Sequence, residues 1–421
     1  MNNKWSKFGN RFTRHTGARE LMDDLGIAIN TKRNICMLGG GNPAHINEIE
    51  NLFRDELRNL IDSDSEYRRM LGNYSMPAGE ERFRTSLAEL LHREYGLEVT
   101  ARNIGLTAGS QSGFFLLFNL LAGKQSDGSS KKILLPLTPE YIGYSDVGLE
   151  SGMLTALRSS IDFLPDQQFK YRLNISELTI NDDVAAICVS RPTNPTGNVL
   201  TDDEIRELAN LASVNEIPLI IDNAYGMPFP QIIFSKSKLF WDSNTILCMS
   251  LSKLGLPGIR TGIIVAREEI IDAVASMNSV LSLSVPSFGA VLLSNLVASG
   301  EILNISKAII QPFYFERMKR ALDSVHQAFH GLPYRVHKPE GALFLWLWFP
   351  DLPISSQELY SRLKSRDVFV LSGHHFFPGL EDEWPHQHEC LRVTYAQEPE
   401  LVHQGLLIIG EEVRKVYEQS A

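Results

Sequence analysis

Cysteine is scarce and scattered in this sequence. The 421 residues hold four, Cys36, Cys188, Cys248 and Cys390, and no C-x-x-C pair, which argues against a disulfide framework and leaves them as reduced core residues. An excess of positive charge is also missing. Forty basic against fifty acidic residues give a net charge of −10, unfavourable for a phosphate-backbone binder, so nucleic acid is not an expected partner. No apolar run approaches the roughly 20 residues needed to cross a bilayer. The most apolar helical stretch, GFFLLFNLLAG around Phe114 to Leu121, reads as a core helix, and no membrane partner is expected. The N-terminal MNNKWSKFGNRFTRH has no apolar signal core, so the expected location is the cytoplasm. Repeats and low-complexity tracts are absent.

What remains is a globular chain, 43% hydrophobic and long enough for two domains. Between residues 131 and 266, the runs KKILLPL, VAAICVS, IPLIIDNA, NTILCMSLS and TGIIVA read as buried parallel strands. The segment TDDEIRELANLASVNE opens with Thr201 and carries Glu204 three positions later, a capping box before a helical period. Strand, helix, strand in this order is βαβ grammar. Further on, PEGALFLWLWFP, DVFVLSGHHF and ECLRVTYA alternate with helices such as SSQELYSRLKSR, which suits a smaller α+β unit. The Gly/Ser-rich GKQSDGSSKK, residues 123 to 132, is expected to be an exposed loop.

The stretch MSLSKLGLPGIRTGI places Lys253 just past a strand, at the carboxyl end where open α/β sheets bind ligands. Lysines past strand ends are commonly plain surface residues. Here Ser250, Ser252 and Arg260 add hydroxyls and a guanidinium, while Gly255 and Gly258 allow close backbone approach. These groups suit a phosphate dianion, and phosphate beside a lysine suggests pyridoxal phosphate. That cofactor needs a carboxylate to keep its ring nitrogen protonated. Asp222 in PLIIDNAYG ends a strand and is the candidate, although an aspartate there is often only a cap. Tyr225, three residues on, and Asn194 in SRPTNPTGN are candidate donors to the ring oxygen, the second in a segment that also reads as a simple turn. Gly109, Ser110 and Gln111 form a turn before an apolar helix and would aim amides at the phosphate. Arg392 on the apolar strand ECLRVTYA is either one side of a structural salt bridge or a clamp for a substrate carboxylate.

In their order along the chain, these motifs resemble the fold-type I, class I pyridoxal-phosphate aminotransferases. The resemblance implies an α/β fold with a mostly parallel seven-stranded sheet in a large domain, plus a smaller α+β domain. It divides the chain into an N-terminal arm and part of the small domain at 1–45, a cofactor-binding domain at 46–305 and a small domain at 306–421. NYSMPAG is similar to the family motif whose tyrosine reaches the partner's phosphate site, which implies a homodimer in which Tyr74 is shared. Tyr141 in PEYIGY falls at the position of the aromatic that stacks on the pyridine ring. Asn194, Asp222, Tyr225, Ser250, Lys253, Arg260 and Arg392 fall on the family's functional positions, with Arg260 seven residues after Lys253 where many members have eight. MLGGGNP resembles the segment that passes the substrate, implicating Gly39, Gly40 and Gly41, and FTRHTG resembles a covering arm in which Phe12 supplies apolar surface.

The implied reaction is ping-pong transfer between amino acids and 2-oxo acids. Similarity extending through FTRHTG, MLGGGNPA, KPEGALFLWLWF and FFPGL implies valine as donor and pyruvate as acceptor, giving 3-methyl-2-oxobutanoate and alanine. Other neutral or aromatic donors, or a β-lyase on the same scaffold, stay open. A cofactor-binding transcription regulator would need an added DNA-binding domain, for which the acidic chain offers no candidate. His374, His375, His386, His388 and Cys390 gather within SGHHFFPGL and WPHQHEC but lack paired ligand spacing, so they read as loop residues and no metal is expected.

Overall fold

The computed structural model describes residues 4–14, 16–30 and 35–420. His15 of the FTRHTG segment therefore lies outside the described residues. Two sheets organise the rest. The larger runs in the order Ile104–Thr107, Gly262–Val265, Thr245–Ser250, Leu219–Asp222, Val184–Ser190, Ser130–Leu135 and Gly123–Lys124, and Leu154–Ala156 adds an eighth strand beside Ser130–Leu135. Its centre is parallel, from Thr245–Ser250 through Leu219–Asp222 and Val184–Ser190 to Ser130–Leu135 and Leu154–Ala156. Gly262–Val265 is antiparallel to both neighbours.

The central strands read as unbroken apolar runs because helices cover both faces. Leu219, Ile220 and Ile221 are at most 2% exposed, and full burial of each such side chain is worth about 1.5–3 kcal/mol. The helix Ser110–Leu121 follows the first strand of the sheet, and Asp202–Val214 starts at the Thr201–Glu204 capping box anticipated from sequence. The stretch expected to be an exposed loop at 123–132 is partly a hairpin: Gly123 and Lys124 pair antiparallel with Lys131 and Ser130. Gly123, at φ 98°, lets the chain turn directly from the helix end into the strand.

The second sheet runs Leu371–Ser372, Cys390–Thr394, Phe344–Trp348, Arg335–His337, Gln168–Arg172 and Ser160–Phe163. Its last two strands come from the middle of the chain, inside the 46–305 segment that the sequence assigned to the large unit. Hydrogen bonding places them elsewhere, because Gln168–Arg172 finds a parallel partner in Arg335–His337. Near the N-terminus, Cys36–Met37 pairs in parallel with Val368–Phe369, and Leu38 accepts a 2.7 Å bond from the amide of Thr394. These bonds carry the following glycines to the strand that holds Arg392. Among the described residues no single helix is long and apolar enough to cross a membrane.

Candidate active site

The parallel strands end side by side, with Asp222 in register with both Ser190 and Cys248. Their carboxyl ends open into a cavity of about 720 Å³. Lys253, three residues beyond Ser250, reaches into it from a single 3₁₀ turn, Ser252–Leu254. Its Nζ donates a 2.7 Å bond to the carbonyl of Gly41 and lies 5.4 Å from the centre of the Tyr225 ring. Removal from water, then the charges of Arg392 and Arg260, lower its pKa from 10.5 to about 8, against the opposing pull of Asp222. An amine so tuned is partly unprotonated, and nucleophilic, near neutral pH.

Asp222 forms the opposite wall. It is buried, and its Oδ2 accepts a 2.9 Å bond from the Tyr144 hydroxyl while Oδ1 accepts from the Ala224 amide at 3.1 Å. Burial raises its pKa to about 6, with both hydrogen bonds and Lys253 restraining the rise. It therefore remains ionised at pH 7. Tyr225 is also buried, and burial pushes its phenol upward, so it stays a hydrogen-bond donor.

On the helix side, Ser110, Gln111, Ser250, Ser252 and Arg260 line one end of the cavity. Gly109 caps the helix Ser110–Leu121 at φ 89°, and a Cβ there would overlap the Arg260 guanidinium. Glycine thus lets the arginine lie across a helix N-terminus, where amides have no intrahelical acceptor. The short connection from Lys253 to Arg260 closes through Gly255 at φ 106° and a second turn, Pro257–Ile259, with Arg260 itself left-handed at φ 50°. One residue fewer is accommodated by that tight turn. The Gln111 side chain is held at Gly143, whose carbonyl accepts from Nε2 at 2.8 Å.

Arg392 faces the same space from the second sheet. It is 1% exposed, its Nη1 donates to Asn194 Oδ1 at 2.7 Å and its Nη2 to the Gly39 carbonyl at 2.6 Å. Phe344 and Phe376 pack on its guanidinium, 4.0 and 5.1 Å from Cζ to ring centres. Its Nε has no partner, and its bonds go to an amide and a carbonyl and to no carboxylate. Of the two sequence readings the structural salt bridge is thereby excluded. Burial lowers its pKa to about 10, so it remains a cation at neutral pH.

The cavity gathers Ser110, Gln111, Tyr141, Asn194, Asp222, Tyr225, Ser250, Ser252, Lys253, Arg260, Arg392 and Gly41, and it adds Asn42 and Met22. Gly40 lies between Gly39 and Gly41 and does not line it. Phe12 does not line it either. That ring packs against Phe115, 6.0 Å between centres, on the flank of the helix Ser110–Leu121, and the apolar side chain supplied by the N-terminal segment is Met22. The reason is geometric: Ser6 caps the short helix Lys7–Phe12 and turns Phe12 toward Phe8 and Phe115. Tyr74 is 84% exposed and does not line its own chain's cavity. Tyr144, Ser190 and Glu140, which support Asp222 from behind, were not singled out in the sequence. Tyr144 follows Tyr141 by three positions in PEYIGY, the one signal that could have marked it. The rings of His374 and His375 lie 3.9 Å apart and His388 stacks 5.9 Å from His374. Among the described residues no cluster of three or more such side chains is arranged to hold a metal ion.

The lining carries three cations, Lys253, Arg260 and Arg392, against the single carboxylate Asp222. That surplus fits a dianionic phosphate and a substrate carboxylate, and the unpartnered Nε of Arg392 marks where an anion is still wanted. The Gly109–Arg260 cradle fits the phosphate, and Asp222 fits a protonated ring nitrogen. Fold and site together define a pyridoxal-phosphate-dependent aminotransferase. The chain matches the family model of aminotransferase class I and II over residues 33–406 and belongs to that family. It is 47% identical over 416 residues, 99% of each chain, to the valine–pyruvate aminotransferase of Escherichia coli K12. The crystal structure of the valine–pyruvate aminotransferase of Salmonella typhimurium LT2 superposes with a TM-score of 0.88 at 44% identity, over 95% of this chain and 99% of that one. A 25% identical aspartate aminotransferase from Pyrococcus horikoshii matches 72% of this chain and 74% of its own.

Proposed function

We propose that this aminotransferase moves the amino group of valine to pyruvate, forming 3-methyl-2-oxobutanoate and alanine, and runs reversibly. The observation that carries the reading is the buried, carboxylate-free Arg392 facing Lys253 across an otherwise apolar substrate side. The two enterobacterial relatives named for this reaction support the choice of substrates.

When bound, pyridoxal phosphate supplies an aldehyde that takes up the amino group and a ring that withdraws electrons from the substrate Cα. Lys253 Nζ would hold the cofactor through its aldehyde carbon in the resting enzyme. Arg392 grips the donor carboxylate, and this fixes which Cα bond faces the freed Lys253 amine. That amine, with its lowered pKa, is placed to take the Cα proton and would deliver it to the cofactor's aldehyde carbon, on the other side of the transferred nitrogen. Asp222 holds a proton on the ring nitrogen, while Tyr225 and the free amide N–H of Asn194 donate to the ring oxygen. Ser110, Ser250, Ser252 and Arg260, with the amides after Gly109 and at Gln111, hold the phosphate. Tyr141 covers the ring. Gly41 keeps the backbone close to the substrate and steadies the lysine in the resting chain.

Met22, Ile142, Pro192 and Ala224 give the donor side chain an apolar surface. A second carboxylate has no assigned cation there, so aspartate pays a desolvation cost that valine does not. In coupled assays with pyruvate, kcat/KM for valine exceeds that for aspartate by orders of magnitude. One-methylene neighbours of valine fall within the roughly 1–3 kcal/mol that a methylene is worth in such a pocket. Higher kcat/KM for aspartate or glutamate than for valine would overturn the substrate assignment and leave the aminotransferase intact.

The working unit in this reading is a homodimer in the cytoplasm, with domain boundaries near residues 46 and 305. Four buried free cysteines suit a reducing compartment. Exposed Leu71, Tyr74 and Met76 lie beside exposed Val280, Leu281 and Leu283, the two segments being tied by Ser75 to Val285 and by Asn278 to Pro77. Tyr74 then completes the partner's phosphate site. Mixing inactive Tyr74→Phe and Lys253→Ala chains restores turnover, since one hybrid site joins two intact halves. A fully active monomer in sedimentation would refute the sharing.

A further inference from the structure

Behind Asp222 lies a second carboxyl group that the reaction does not touch. Glu140 is completely buried, and its Oε1 accepts from the Ser190 amide at 2.8 Å. Its Oε2 accepts from the Tyr141 amide at 3.2 Å and, when the carboxylate is ionised, accepts from the Ser190 hydroxyl. The Ser190 hydroxyl lies 3.2 Å from that of Tyr144, which in turn donates to Asp222 Oδ2 at 2.9 Å. Four side-chain oxygen centres thus form one line from Glu140 to Asp222, with three contacts along it.

Counting protons decides how that line is built. Ser190 and Tyr144 bring one each, so two ionised carboxylates would leave one contact with facing lone pairs and no hydrogen between them. A third proton on Glu140 fills every contact and turns all three donors toward Asp222. The groups that face Glu140 and Asp222 give no reason to ionise both. Asp222 repels Glu140, burial keeps the Cys188 and Cys248 thiols neutral, and Lys253 acts on Asp222 from the cavity side. Two buried carboxyl groups in such a setting share their charge unequally.

We propose that Glu140 is held as a neutral carboxylic acid and acts, through Ser190 and Tyr144, as a positioning residue that keeps Asp222 ionised and oriented toward the cofactor ring. The inference rests on the cofactor placement given above. Burial agrees with it in direction, since Glu140 is pushed up to about 8 while Asp222 reaches only about 6. At pH 7 one carboxyl then keeps its proton and the other does not. The arrangement places a neutral donor chain where a second negative charge would compete with Asp222 for the ring proton.

Infrared difference spectra of the holoenzyme at pH 7 test this directly. Wild type minus Glu140→Gln contains a protonated-carboxyl stretch, and that band shifts in Tyr144→Phe and in Ser190→Ala, either of which serves if the Gln variant fails to fold. With ¹⁵N-labelled pyridoxal phosphate, the ring nitrogen stays protonated in Glu140→Gln and titrates at lower pH in Tyr144→Phe. The same Tyr144→Phe change costs about tenfold in kcat/KM, the scale of one hydrogen bond to a charged group. A difference spectrum containing only carboxylate bands would overturn the neutral Glu140, and a band unmoved by Tyr144→Phe and Ser190→Ala would overturn the connection to Asp222. A neutral ring nitrogen in wild type with the acid band present would instead overturn the cofactor placement, and the inference with it.

Discussion

Lys253→Ala lowers turnover by about 10⁴-fold or more, the largest loss expected of any single substitution in this chain. In the proposed mechanism two tasks vanish together, because the same amine would hold the cofactor and move the Cα proton, and positioned proton transfer alone contributes about 10²–10⁴. Borohydride reduction of the wild type followed by peptide mapping places the cofactor on Lys253, and label on another lysine would sink the assignment. The pH dependence carries a second signature. Cofactor capture by the apoenzyme requires the unprotonated amine, so its rate climbs with pH and levels off above about 8, the lowered pKa of Lys253. An ordinary lysine would keep the rate climbing to about 10.5. A plateau reached only there would mean that Arg392, Arg260 and the loss of water do not act on this amine as the geometry implies.

Asp222→Asn is expected to cost about 10²–10³ in kcat, the scale for losing one preorganised charge at a reacting centre. The variant still binds pyridoxal phosphate, because Ser110, Ser250, Ser252 and Arg260 are untouched. Binding and turnover therefore separate, and near-normal turnover would count against the role. Stability moves the other way. The pKa of Asp222 in the cofactor-free chain is raised from 3.8 to about 6, so the folded state holds this proton more tightly than the unfolded state does. Its contribution is full below about pH 4 and is lost as pH rises through 6. At pH 7 the ionised Asp222 burdens the apo fold, and the neutral amide relieves it. Thermal unfolding of the apoenzyme at pH 7 should show a higher midpoint for Asp222→Asn than for the wild type, and no gain would mean that the buried charge is already offset.

The chemistry was legible in the sequence because it depends on residue types at strand ends. A lysine past TILCMSLS, an aspartate ending PLIID and a glycine turn before an apolar helix each follow from periodicity and turn chemistry, and the structure brings all three to one cavity. The capping box at Thr201 was equally plain, since its hydrogen bonds span only three residues. Phe12 illustrates where local reading stops: its helix was adjacent in sequence to the covering segment, but packing on Phe115 decided its direction and left Met22 to face the cavity.

The sequence by itself determined a lysine and an aspartate at strand ends, the parallel sheet that presents them and the charge balance of the cavity, because these arise from local patterns. Tertiary structure alone decided three other matters. It carried residues 160–172 into the second sheet, where Arg335–His337 offered the parallel partner. It gave Arg392 an amide oxygen and a backbone carbonyl as partners in place of a carboxylate and left its charge facing the cavity. It also stacked Glu140, Ser190, Tyr144 and Asp222 into one hydrogen-bonded line. Each of these depends on contacts between residues dozens to hundreds of positions apart, which no short stretch of the chain contains.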